Sequence, residues 1–208
     1  AGVRHSSKDP LSYMKSNLEG FINTIEVIKD LESKNFIYAS SSSVYGGSKE
    51  IPFAEDRDQE IPISLYGYTK LINEQIAENY SNNFSINSIG LRFFSVYGSP
   101  QTPKQGSHSW AVAIFSMLAK KRKPITVFGD GNQIRDFTHV SDIAESVVLS
   151  IEKDSSNGKF FNSGTGKGTT VNEIVKYVFE NIEKVPINYE PHPAGDPFGG
   201  YADNTLMK

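Results

Sequence analysis

No cysteine occurs among the 208 residues. Disulfides and thiolate metal sites are therefore unavailable, and a reducing compartment, the cytoplasm, is the expected location. Histidine is scarce: four residues lie scattered without metal-ligand spacing, so no metal is expected and His139 is read as structural. No apolar run is long enough to span a bilayer, and no signal segment is recognisable from Ala1 onward. The 21 basic residues are outnumbered by 24 acidic ones, and no basic stripe speaks for nucleic acid. Glycine is present in 17 copies, but never as G-x-G-x-x-G or G-x-x-G-x-x-G opening a helix with an acid further on. Gly164-Thr165-Gly166-Lys167-Gly168 comes nearest, and it lies late in the chain. A chain of this length can bury a core in one or two domains.

What is there alternates between two hydrophobic periods, without repeats or low-complexity linkers. Helices are predicted near 10–33, 66–81, 108–121, 141–153 and 170–184, and strands near 35–40, 86–94, 125–128, 159–163 and 187–190. That alternation is the pattern of βαβ units in a parallel sheet. Ser141 or Asp142 is expected to cap the helix beginning at Ile143, and Thr170 the one carrying Val171, Ile174, Val175 and Val178.

One short motif stands out. Tyr66-Gly67-Tyr68-Thr69-Lys70 places an ammonium four residues after a phenol, on one face if the segment is helical. A cation at that distance would lower the phenol's pKa from about 10 and ready it as a base. The same spacing recurs at Tyr45 and Lys49, but two glycines between them argue for a loop. After Lys70, the residues Leu71, Ile72, Ile76 and Tyr80 recur at helical spacing, with Glu74 and Glu78 expected on the solvent face. Upstream, the apolar run Asn35 to Ala39 stops at Ser40-Ser41-Ser42-Ser43 before Val44-Tyr45-Gly46, and Ser88 to Phe94 stops at Ser95-Val96-Tyr97-Gly98. Two strands thus deliver hydroxyls to one sheet edge, where ligands of open α/β sheets sit.

These segments, with Asn17-Leu18-Glu19-Gly20, Phe128-Gly129-Asp130-Gly131, Arg135-Asp136-Phe137-Thr138-His139-Val140 and Phe161-Asn162-Ser163-Gly164, resemble the extended short-chain dehydrogenase/reductase family. Within it they are similar to the NAD-dependent sugar-nucleotide epimerases and dehydratases, over nearly the whole chain. The resemblance implies a Rossmann-like, doubly wound parallel α/β sheet, truncated in its N-terminal part, with a smaller C-terminal α/β substrate-binding region. Residues 1–98 would be the C-terminal part of the NAD-binding domain. Residues 99–208 would mainly bind the sugar nucleotide, interleaved with the Rossmann sheet. A piece of a longer protein is expected, the glycine fingerprint lying before Ala1.

By the same resemblance Tyr66 is the base that takes a sugar hydroxyl proton as hydride passes to NAD, and Lys70 assists it while holding the nicotinamide ribose. Ser41 is the hydroxyl that bonds the reacting oxygen. Asn17, Phe93 and Phe94 are expected beside the cofactor. Ser42, Ser43, Ser95, Phe128, Arg135 and Asn162 are expected beside the substrate, Arg135 on its diphosphate. Ser42 and Ser43 stand where the 4,6-dehydratases carry Asp-Glu, which speaks against dehydration. A UDP-sugar 4-epimerase of the glucose/galactose type is the leading expectation. UDP-glucuronate 4-epimerases are the alternative, resembled at Ser42, Ser43 and Ser95 but not at Thr102, which falls near their arginine. His192 to Asp196 likewise lacks an arginine that the family often shows. A reductase or dehydratase of the family and a non-catalytic nucleotide-sugar-binding relative stay open. The helices near 10–33 and 66–81 resemble those of a homodimer interface.

Overall fold

The computed structural model describes residues 3–31, 35–102, 111–152, 159–193 and 199–208. Its core is a parallel sheet of order β1-β2-β5, made of β1 (Asn35–Ser41), β2 (Asn87–Phe93) and β5 (Lys159–Ser163). Ser41 pairs with Phe93 and Phe93 with Ser163, so the three strands end in one row. The fold is Rossmann-like, an α/β parallel sheet with a smaller C-terminal α/β region.

Helix α1 (Pro10–Tyr13) passes through a π-helical turn (Met14–Glu19) into α2 (Gly20–Asp30), and α3 (Leu65–Phe84) follows β1. Phe36 and Tyr38 of β1 meet Ile25 of α2, Ala77 of α3 and Ile86 in one buried cluster. Period-2 and period-3.6 patterns bury the same side of both element types there. The C-terminal region holds α4 (Ala111–Lys120), the parallel pair β3 (Ile125–Phe128) and β7 (Ile187–Glu190), and α6 (Val171–Asn181). Phe115, Ala119, Ile125, Val127, Val171, Val175 and Val178 make its core. Thr170 caps α6 as expected, in a full capping box with Glu173.

Two departures from the predicted elements have local causes. Residues 108–110, where the helix near 108–121 is predicted to begin, lie outside the described residues, as do 32–33 and 153 at two predicted helix ends. Helix α5 (Val140–Glu152) begins before Ile143, because the ring of His139, accepting from the Ser141 amide at 3.3 Å, takes the capping place assigned to Ser141 or Asp142. A small sheet, β6 (Thr169–Thr170), β4 (Ile134–Arg135) and β8 (Gly199–Gly200), is built of two-residue strands too short to show a period.

Candidate active site

Helix α3 starts at the sheet's C-terminal edge because its first amides are met by side chains. Ser64 is extended (φ −127°, ψ 150°) and its hydroxyl accepts from Gly67 N at 3.1 Å. The buried Ser6 hydroxyl accepts from Tyr66 N at 3.2 Å, an anchor 60 residues away in sequence. Gly67 explains the close approach of helix and strand end: a Cβ there would lie 2.6 Å from the Ser43 carbonyl oxygen and 3.2 Å from Pro62 Cβ. Gly67→Ala is therefore expected to push α3 off the serine turn and to lower turnover about tenfold or more, since misplacing reacting groups by an ångström costs up to 10²-fold. Steady-state kinetics beside an unchanged circular dichroism spectrum checks this.

Under that packing, the Tyr66 phenol faces Ser41, the last residue of β1, whose hydroxyl favours the ionised phenol. Ser41 also accepts from Ser43 N at 3.2 Å and donates to Ser43 Oγ at 3.1 Å, which fixes its rotamer and opens the 3₁₀ turn Ser42–Tyr45. Lys70, one turn further along α3, donates to the Ala39 carbonyl at 2.8 Å, and its ammonium lies 5.8 Å from the Tyr66 ring centroid. The structure corrects one expectation here. Burial holds the Tyr66 phenol above its ordinary value, with Ser41 pulling the other way and Tyr13 adding to the rise, and Lys70 does not lower it. Burial likewise depresses the Lys70 ammonium, and Glu74 opposes that.

Ser42, Ser43 and Ser95 are half-buried at the same edge, as is Phe93 at the end of β2. Asn17 lies in the π-helical turn and donates to Thr69 Oγ1 at 2.9 Å, while Thr69 donates to the Tyr66 carbonyl at 2.8 Å. Asn17 thus reaches the site through the main chain of Tyr66. Phe128 ends β3, with the Arg4 guanidinium 5.0 Å over its ring. Arg135 donates to the Ile134 carbonyl at 2.8 Å. Gly199 (φ +99°) lets it lie close, since a Cβ there would fall 2.0 Å from its Nη1. Asp136, next to it in sequence, is buried and engaged elsewhere: it accepts from Thr165 N and Gly166 N, both at 2.9 Å, and from Thr165 Oγ1 at 2.6 Å.

Two expected site residues turn inward. Phe94 is 2% exposed and packs with Val44, Tyr45, Phe53 and Ala202, so it serves the core and leaves no face for a cofactor. Asn162 is fully buried: its Oδ1 accepts from Tyr45 at 2.8 Å, and its Nδ2 donates to the carbonyls of Phe53 (2.8 Å) and Asp203 (3.1 Å). With its amide group engaged, it has no capacity for a substrate. Residues 194–196 of the His192 segment lie outside the described residues.

The largest omission of the sequence reading is a buried ion cluster. Arg92, the penultimate residue of β2, is 0% exposed and donates to Glu74 through Nε (2.9 Å) and Nη2 (2.6 Å), to Glu60, and to the Tyr45 hydroxyl (2.5 Å). Glu74, expected on the solvent face, is 1% exposed. The buried stripe of α3 is Gly67, Thr69, Asn73, Glu74 and Ala77, largely polar, while Ile72 is 37% exposed. Hydrophobic periodicity cannot find such a face. The available signal was an arginine inside an otherwise apolar strand, a charge that burial permits only with partners.

The chain belongs to the NAD dependent epimerase/dehydratase family, whose family model matches residues 1–164. The UDP-glucuronate 4-epimerase of Thermodesulfobacterium geofontis is 34% identical over 185 residues, covering 88% of this chain and 55% of that protein. The UDP-glucose 4-epimerase of Thermotoga maritima superposes with a TM-score of 0.90 at 31% identity, over 100% of this chain and 67% of that one. The UDP-glucuronic acid 4-epimerase of Bacillus cereus, solved with UDP-glucuronic acid and NAD, does so with 0.88 at 32%, over 100% and 65%. The chain spans between 42% and 61% of the length of the first curated relatives it matches.

Proposed function

We propose that this chain carries the proton-transfer centre of an NAD-dependent epimerase of a UDP-sugar, acting at C4, with UDP-glucuronate as the first-choice substrate. The observation that carries this reading is the convergence of the Tyr66 phenol and the Ser41 hydroxyl at the end of β1, with Lys70 one helical turn away on the Ala39 carbonyl. The residues present fit a nicotinamide riboside: the Lys70 ammonium uses one N–H on Ala39, and two remain to meet ribose hydroxyls. When bound, NAD supplies a hydride acceptor that returns what it takes. Ser41 would hold the sugar oxygen while Tyr66 removes its proton and later gives it back. Because burial holds Tyr66 high and Lys70 low, the form with Tyr66 ionised and Lys70 charged is scarce near neutrality, and activity is expected to rise toward alkaline pH and to fall beyond it.

Two observations favour a charged sugar. The hydroxyls of Ser42, Ser43 and Ser95 suit a carboxylate, and glucuronate is the sugar named for the T. geofontis and B. cereus relatives. A glucose/galactose enzyme is the second reading, favoured by Thr102, exposed where a charged sugar would call for arginine. Incubating the intact protein separately with UDP-glucuronate and UDP-glucose, with proton NMR of the products, tests both. UDP-galacturonate is expected from the first. UDP-galactose alone would establish the second reading, and no 4-epimer from either substrate would overturn both. The exposed side chains of Leu11, Met14, Ile22, Tyr68 and Ile72 support a homodimer joined through these helices.

A further inference from the structure

We propose that Glu74 is a positioning residue for the Tyr66–Lys70 pair: clamped by Arg92 and Ser40, it sets α3 in register with the end of β1 and keeps Lys70 cationic. The inference rests on the function proposed above. Tyr66, Lys70 and Glu74 are four apart on α3 and so share one face. Each faces one of three consecutive residues of β1: Tyr66 stands beside Ser41, Lys70 donates to the Ala39 carbonyl at 2.8 Å, and Glu74 accepts from the Ser40 hydroxyl at 2.5 Å. A slip of the helix against the strand would break all three contacts at once. Tyr66 and Lys70 are half-buried, whereas Glu74 and Ser40 are buried at 1% and 2%.

The carboxylate has no freedom to rotate. Its Oε1 accepts from Ser40 and from Arg92 Nε, and its Oε2 from Arg92 Nη2. The guanidinium is itself held between the Phe160 ring, 3.9 Å away, and the Tyr45 ring, 4.8 Å away. Lys70 faces Tyr66 and Glu74 on its own helix and the Ala39 carbonyl on β1. Glu74 faces Lys70, Ser40 on β1 and Arg92 on β2, with Glu60 and Tyr45 on the far side of that guanidinium. The negative charge one turn from Lys70 opposes the loss of its proton that burial promotes. Arg92 needs Glu74 for its own burial, but only the placement beside Lys70 ties that pair to the reacting centre.

Glu74→Gln removes the charge and keeps the volume. In the intact, NAD-loaded protein it is expected to lower kcat about tenfold with KM for the UDP-sugar within about twofold, and to move the alkaline limb of the pH profile down by ~1 unit. Without cofactor or substrate, the Lys70 Cε resonance, identified by its loss in Lys70→Ala, should titrate at lower pH in the variant. Glu74→Asp, which restores the charge, should restore the limb. A folded Glu74→Gln protein whose Lys70 resonance and alkaline limb match the wild type overturns the inference, even where Tyr66→Phe abolishes turnover. Full activity of Tyr66→Phe would instead remove the function itself. Should Glu74→Gln not fold, Ser40→Ala decides: about a threefold loss of kcat, the worth of one hydrogen bond, supports the register role, and wild-type kcat overturns it.

Discussion

Tyr66→Phe is expected to lower kcat by about 10³-fold or more, because it removes the oxygen that takes and returns the substrate proton in the proposed mechanism, a role worth roughly 10²–10⁴ in rate. The rest of the site should survive the change. The ring keeps its edge-on contact with Tyr13, at 6.2 Å and 87°. The main chain keeps its bonds from Tyr66 N to Ser6 and from Thr69 to the Tyr66 carbonyl. Stability should fall by only about 1 kcal/mol, the scale of one polar contact. Kinetics with the UDP-sugar and urea unfolding separate these outcomes: a lost rate at nearly unchanged stability and KM is the signature of a base. Activity within tenfold of wild type would move the proton transfer to another residue.

Arg92→Met should have the largest effect on the fold. It leaves Glu74, whose side chain is 0% exposed, without its guanidinium, and takes the same partner from Glu60, 5% exposed. Breaking a buried ion pair from one side costs about 3–5 kcal/mol. A domain's total is roughly 5–15 kcal/mol, so much of the protein should be unfolded or lost on expression. The urea midpoint measures this directly. Replacing Glu74 and Glu60 by leucine in the same variant should recover much of the loss, since an apolar cluster of similar volume needs no counter-charge. A loss below about 1 kcal/mol would mean that water reaches the cluster in solution.

The two predictions also mark where the sequence was readable. The predicted strands at 35–40 and 86–94 and the helix at 66–81 lie within a residue or a few of β1, β2 and α3, because apolar period and turn residues are local signals. The Tyr66–Lys70 spacing could be read because four positions on a helix are written in order along the chain, whereas Ser41 was singled out of four serines by the family resemblance. Phe94 and Asn162 were misplaced for the complementary reason. An aromatic or an amide at a strand end reads the same whether it turns toward the edge or into the core, and Tyr45, Phe53 and Asp203, far away in sequence, made that choice.

Residue order alone therefore determined the element types, the parallel α/β class and the phenol–ammonium pair, all of which depend on neighbours within a few positions. Tertiary structure decided the ionisation of that pair and the side of α3 that is buried. Both depend on desolvation and on charges brought together from β1, β2 and α3, and no local pattern encodes the distance between Glu74 and Arg92.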